Sequence, residues 1–218
     1  MKLLIENWRK FMTEDEAAYF PWLEELEQKG GEALLGDNFD QIGSGAFRVV
    51  FRPKGDNDHI VKLIKNPRDG WMNQVESKTG NTYPSLFPKT YAHADDWEWI
   101  AQESVDVIGF RDEDKLRKML MTTFPTLYLA FGGVTYKGQA LWDLWDRIAN
   151  SALNPYLPIH DKIKNLGLIE EPAYVELTKA MSDFRMDPDD LRGGNIGIND
   201  KGELRILDAS IFQKPQGL

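Results

Sequence analysis

Cysteine is absent from this chain, which excludes disulfides, a thiolate zinc site and a cysteine nucleophile together. Histidine is almost as scarce: His59, His93 and His160 are scattered and make no metal cluster. Long apolar runs are missing too. The longest fall well short of the roughly 20 residues that span a membrane. Leu3-Leu4-Ile5 is cut off by Glu6, too short for a signal peptide. Positive charge is in deficit, with 26 Lys and Arg against 35 Asp and Glu and a formal net charge of −9. That argues against a protein gripping a nucleic-acid backbone through a basic face. No repeat or low-complexity segment is visible. With 42% apolar and 28% charged residues, the chain reads as an ordinary soluble globular protein, cytoplasmic by default, with no membrane or nucleic-acid partner. At 218 residues it can bury one good core, or two small lobes sharing a cleft.

What is present concentrates between residues 190 and 208. Asp190-Leu191-Arg192-Gly193-Gly194-Asn195 leads into a short apolar hairpin that ends in Ile206-Leu207-Asp208. Ile196 and Ile198 alternate with other residues, Asn199-Asp200-Lys201-Gly202 reads as a turn, and Leu204 and Ile206 alternate again. Centring the hairpin between Lys201 and Gly202 sets Asn195 opposite Asp208, and paired residues on antiparallel strands lie roughly 5 Å apart. Both side-chain oxygens could then reach one hard cation such as Mg²⁺. Asp190, one Gly-Gly loop earlier, is close enough to act as a base beside it. Such a geometry suits phosphoryl transfer. The plain structural alternative is that Asp190 is only a turn former, since Asp187-Pro188-Asp189-Asp190 is rich in them.

These residues resemble the protein-kinase-like superfamily, which includes protein kinases and the aminoglycoside and choline phosphotransferases. Asp190-Leu191 followed by Asn195 is similar to the catalytic loop, whose Asp accepts the acceptor hydroxyl's proton and whose Asn holds a metal. Asp208 resembles the metal-binding Asp of Asp-Phe-Gly, although the triplet here is Asp208-Ala209-Ser210. Upstream, Gly43-Ser44-Gly45-Ala46-Phe47-Arg48-Val49-Val50 looks like the glycine-rich loop over the phosphates. His59-Ile60-Val61-Lys62 looks like the strand bearing the phosphate-pairing lysine, with Glu76 as its helix partner. Ile100-Ala101-Gln102-Glu103-Ser104-Val105 looks like the hinge that meets adenine. Five motifs in order span residues 36 to 210.

The resemblance implies an α+β, two-lobed protein-kinase-like fold: a helical N-terminal extension (1–35), a small antiparallel N-lobe (36–104) and a mainly helical C-lobe (105–218). It implies an ATP-dependent phosphotransferase using Mg²⁺. Asp190 and Lys62 would be catalytic and Asn195 and Asp208 metal-binding. Gly43, Ser44, Gly45, Lys62, Glu76, Glu103 and Val105 would line the nucleotide site. The acceptor would be a hydroxyl of a protein or small molecule. Several departures stand beside it. Arg48 takes the place of the usual third glycine, where it could narrow the loop or itself contact phosphate. Pro188-Asp189 replaces the usual His-Arg, and the chain stops ten residues after Asp208, so the customary C-terminal helices are expected to be missing. These departures support an idle nucleotide- or partner-binding module as the alternative, and transfer of AMP is a third reading.

The remaining elements follow from periodicity. Leu4, Trp8, Phe11 and Met12 share a helical face, and Thr13-Glu14-Asp15-Glu16 is a capping box for a second helix. Pro21 suits a restart and Gly30-Gly31 an end. Trp8, Phe11, Tyr19, Phe20, Trp22 and Leu23 either pack on the body or form a docking tag for a partner of residues 1–35. Met1 to Glu16 is similar in style to short leaders of internal head proteins of tailed bacteriophages. Strands are expected at 38–42, 47–52, 59–64, 90–94 and 98–102, a helix at 72–78, and helices from 112 to 184. Lys62, mid-strand among apolar neighbours, is either edge-exposed or half-buried and in need of a partner. Lys65, one face over, is the alternative lysine. Glu103 could simply end a strand.

Overall fold

A computed structural model describes residues 20–154 and 156–207. The expectations for Leu4, Trp8, Phe11, Met12, the Thr13 capping box, Tyr19 and Asp208 lie outside the described residues.

The chain enters through helix α1 (Pro21–Lys29), with proline in its first turn, where a missing N–H costs nothing. Gly30 ends the helix at φ 61°, a left-handed conformation that favours glycine. A 3₁₀ segment (Gly30–Leu35) follows. Five strands then form one antiparallel sheet: β1 (Phe39–Ser44), β2 (Arg48–Pro53), β3 (His59–Ile64), β4 (Thr90–His93) and β5 (Trp99–Glu103), in spatial order β1-β2-β3-β5-β4. β3 coincides with its expected bounds. β1 runs two residues further than expected, because a bulge between Gln41 and Gly43 lets pairing continue to Ser44 opposite Val49.

Helix α2 (Gly70–Thr82) lies between β3 and β4 in sequence and is longer than the sequence suggests. Gly70 and Gly80 weaken helical propensity, yet tertiary packing needs them. A Cβ on Gly70 would stand 2.9 Å from the Asp96 carbonyl oxygen, and one on Gly80 would stand 2.5 Å from that of Pro88. Glycine therefore marks close approach here, and the helix continues through it.

Beyond β5 the chain forms β6 (Asp106–Val107) and then a helical body: α3 (Glu113–Thr123), α4 (Pro125–Ala130), α5 (Gln139–Leu153), α6 (Pro158–Asn165) and α7 (Pro172–Asp183). Three of these helices carry proline at the N-terminus besides α1. The hairpin β7 (Ile196–Ile198) and β8 (Leu204–Ile206) completes a second sheet, ordered β6-β7-β8. The fold is α+β, as expected.

Two buried apolar clusters result. One joins α1 to the five-stranded sheet through Trp22, Leu23, Leu26, Phe39, Phe51, Val61 and Trp99. So Trp22 and Leu23 pack on the body. The other holds the helical body together around Trp145, Tyr174 and Phe124, and takes in Ile196, Ile198, Leu204 and Ile206 from the hairpin. The chain passes between the two at Ser104-Val105, leaving one sheet at β5 and entering the other at β6. No helix among the described residues is long and apolar enough to cross a membrane.

The hairpin register corrects the expected pairing. Ile196 lies opposite Ile206 and Ile198 opposite Leu204, so Asn195 falls opposite Leu207, whose amide donates to the Asn195 carbonyl (2.9 Å). The turn is the cause. Asn199 N donates to Glu203 O (3.1 Å), enclosing Asp200, Lys201 and Gly202, and Gly202 adopts φ 85°. A three-residue loop with glycine in the left-handed position centres the hairpin on Lys201, one half-step from the two-residue turn the sequence suggests.

Candidate active site

Lys62 occupies the middle of β3, opposite Val50 on one side and Ile100 on the other. An ammonium buried there needs compensating charge. α2 supplies it: Lys62 Nζ donates to Glu76 Oε1, and its second bond goes to the Leu207 carbonyl (3.1 Å). Glu76 carries a second partner. Arg48 Nη1 donates to its other oxygen, Oε2. All three side chains are buried, at 6–8% exposure. Burial alone would push the Glu76 carboxyl up, but the Arg48 and Lys62 charges outweigh it and hold the group below the usual glutamate range. Lys65, the alternative lysine, lies just beyond β3, is exposed, and reaches the Gly45 carbonyl (2.6 Å).

Arg48 belongs to the β1–β2 hairpin, as the first residue of β2. Gly43 and Ser44 close β1 opposite Val50 and Val49. Gly45 N donates to Arg48 O (2.9 Å), and Lys65 N to Phe47 O (2.8 Å). The tip from Ser44 to Phe47 is exposed. A loop whose glycines carry no Cβ can bring N–H groups close to an anion.

The passage between the two clusters holds Glu103 and Val105. The Glu103 carboxylate accepts from Arg205 Nε (3.1 Å) and from Lys89 N (3.3 Å). Arg205 in turn donates to the Ser85 carbonyl (2.8 Å), so this ion pair staples β5 to the β7–β8 hairpin. Val105 lies against Gly197, where an added Cβ would meet Val105 Cγ1 at 2.4 Å.

Asp190 ends the 3₁₀ turn Pro188–Asp190, which the Asp187 side chain caps by accepting from Asp189 N (2.9 Å). Asp190 is half-buried. The following loop is fixed by backbone bonds: Trp145 Nε1 donates to Leu191 O, Gly194 N to Ile108 O (2.8 Å), and Asn195 N to Arg192 O (2.9 Å). Gly194 takes φ 94°, and Gly193 sits against Phe110 with no room for a Cβ. Nearby, Asp146 on α5 is pushed up by burial and by the charges of Asp143 and Asp189.

The structure thus brings Lys62 and Glu76 into contact and ties them through Leu207 to the main chain of Asn195. Asp208 lies outside the described residues. Among the described residues no group of three or more His, Asp or Glu side chains gathers to hold a metal ion. Arg48 as a partner of Glu76, and Arg205 as a partner of Glu103, were not legible beforehand. The signal for Arg48 was a charged residue two positions from Val50 on the strand facing Lys62, and hence on the same sheet face.

No family model matches the sequence, and no curated protein matches it. Among solved structures the chain is similar to an aminoglycoside phosphotransferase in ternary complex with AMP-PNP and hygromycin B, at 9% identity and TM-score 0.37, covering 86% of this chain and 70% of that one. It is also similar to an aminoglycoside phosphotransferase in a complex with GDP and kanamycin, at 11% identity and TM-score 0.35, covering 86% and 74%. A choline kinase from Streptococcus pneumoniae is 14% identical with TM-score 0.36, covering 78% of this chain and 62% of that one. These neighbours are members of the protein-kinase-like superfamily.

Proposed function

We propose that the chain is an ATP-dependent phosphotransferase that moves the γ-phosphoryl group to a hydroxyl of a protein or small molecule. One observation carries this reading. A buried lysine on the central sheet is paired with a helix glutamate and bonded to the carbonyl of Leu207, the residue before Asp208 in the chain.

In this reading Gly43, Ser44 and Gly45 cover the phosphates and Lys62 orients them. Glu103 and Val105, at the passage between the clusters, flank the base. Asp190 accepts the proton of the acceptor hydroxyl. The new P–O bond forms to that oxygen as the bond to the β-phosphate oxygen breaks, and ADP leaves. Asn195 and Asp208 offer an amide and a carboxylate oxygen, a donor set that suits Mg²⁺. When bound, the ion would neutralise charge on the phosphates. The chain's own contribution is positioning and fixed charge. In domain terms, residues 36–104 would be the nucleotide lobe and 105–218 the catalytic lobe.

The test is transfer of labelled γ-phosphate from ATP, with Mg²⁺, to a panel of hydroxylated small molecules and to protein. Transfer that Asp190→Ala lowers by about 100-fold or more is expected. Absence of both transfer and self-labelling with the unaltered chain would overturn the reading. An idle nucleotide- or partner-binding module is the second reading. It is favoured by Arg48, which shares the Lys62 partner, and its mark is partner capture that Lys62→Ala leaves intact.

A further inference from the structure

Arg48 is the first residue of β2, three positions past Gly45. In the β2–β3 register Arg48 faces Ile64 and Val50 faces Lys62, so Arg48 and Lys62 project from the same face of the sheet as diagonal neighbours. α2 lays Glu76 against that face, and the carboxylate gives one oxygen to each cation. Only 8% of Arg48 is exposed. A strand-end arginine could point to solvent at little cost, whereas this one is drawn in onto the Glu76 carboxylate, beside the lysine.

We propose that Arg48 is a second cation of the nucleotide site, contacting the polyphosphate of a bound nucleoside triphosphate directly alongside Lys62. The proposal rests on the phosphotransferase reading and adds a binding residue to it. A guanidinium carries five N–H donors in a planar fork, a geometry that lets one residue meet a carboxylate and a phosphate from different edges. The hairpin tip contributes backbone N–H groups above, and the arginine contributes charge from the hairpin's exit. Glu76 is then the holder of both cations, setting them side by side where one polyanion can meet the two.

The experiment measures binding of a non-hydrolysable ATP analogue and of adenosine to the full chain, with thermal melting of each variant as the check on folding. Arg48→Met is expected to weaken the analogue about tenfold, the scale of a lost charge-assisted hydrogen bond, and to leave adenosine unchanged. Arg48→Lys should restore part of the loss. The decisive arm uses Glu76→Gln as background. A direct contact predicts that Arg48→Met still weakens the analogue there. A role limited to holding Glu76 predicts no further loss, and that result overturns the proposal. An Arg48→Met chain that binds the analogue as tightly as the unaltered one, while Lys62→Met does not, overturns the Arg48 assignment alone. An unaltered chain that binds neither analogue nor adenosine overturns the nucleotide reading and this proposal with it.

Discussion

The two halves of the candidate site are held by different forces. On the sheet side, Arg48, Lys62 and Glu76 are buried charges that fix one another. On the loop side, Asp190 and Asn195 ride on a segment fixed by main-chain bonds, two glycines and a tryptophan that grips a carbonyl. A buried ion cluster is costly to break because any member removed leaves charge behind in a poorly solvating place. A backbone-held loop instead tolerates loss of a side chain that its main-chain bonds do not use, but not of its glycines. On the sheet side, then, the proposed function and the stability would rest on the same atoms, while on the loop side they would rest on different ones.

The largest separation of the two is expected at Asp190. Asp190→Ala should lower the transfer rate about 10²–10⁴-fold, the range for losing a general base. Its free energy of unfolding, read in urea, should stay within about 0.5 kcal/mol of that of the unaltered chain. A large loss of stability would show that Asp190 also builds the loop. Glu76→Ala should behave in the opposite way. Removing the carboxylate that two buried cations share should cost about 3–5 kcal/mol of stability, read from urea unfolding, and activity should fall with it. An unchanged midpoint would dissolve the contrast between the halves.

Gly193→Ala tests the loop by its own means. The new Cβ would lie 2.9 Å from Phe110 N and 3.1 Å from its Cα, and backbone cannot move aside cheaply. A cost of about 1–3 kcal/mol is expected, together with a transfer rate lowered roughly tenfold or more through misplacement of Asp190 and Asn195. Stability equal to the unaltered chain would mean that the loop is not held as described.

Acid should discriminate between the halves as well. The folded carboxyl of Glu76 is held below its unfolded value, so its stabilisation is complete above the unfolded glutamate range, about pH 4.3. It is lost as pH falls through the lower folded value. Unfolding curves of the unaltered chain and Glu76→Gln should therefore differ by a constant amount at neutral pH and converge as pH drops below about 4. A gap that widens with acid would give the shift the opposite sign.

The sheet-side pair was legible because a lysine set in an apolar strand demands a partner, and Glu76 was the acid in reach. The strands themselves followed from alternation, and β3 matched residue for residue. What escaped were features fixed by geometry at a distance. The hairpin register depended on whether two or three residues sit in the turn, and Asn199-Asp200-Lys201-Gly202 is compatible with both. The ends of α2 hid behind Gly70 and Gly80, whose role is contact with carbonyls of Asp96 and Pro88. The Arg205–Glu103 pair joins residues about a hundred positions apart, and no local pattern encodes such a contact.

The smallest expected effect lies at the entrance to the loop. Arg185 follows α7 in the left-handed region, at φ 50°. The turn is closed by Met186 N donating to Met181 O (3.0 Å) and Arg185 N to Ser182 O (3.3 Å), the bond pattern of a helix end that usually employs glycine. For a residue with a Cβ that conformation costs about 1–2 kcal/mol. Glycine would remove the strain but lose about 0.5–1 kcal/mol to the greater freedom of the unfolded chain. Arg185→Gly should therefore stabilise the protein by about 0.5–1 kcal/mol, raising the melting temperature by about 2 °C in a chain of this size. Because main-chain bonds set the direction of Met186 to Asp190, the transfer rate should not change. A stabilised variant with a slower rate would instead mean that the strain at Arg185 helps to aim Asp190, and that the loop side, like the sheet side, joins function to stability in the same atoms.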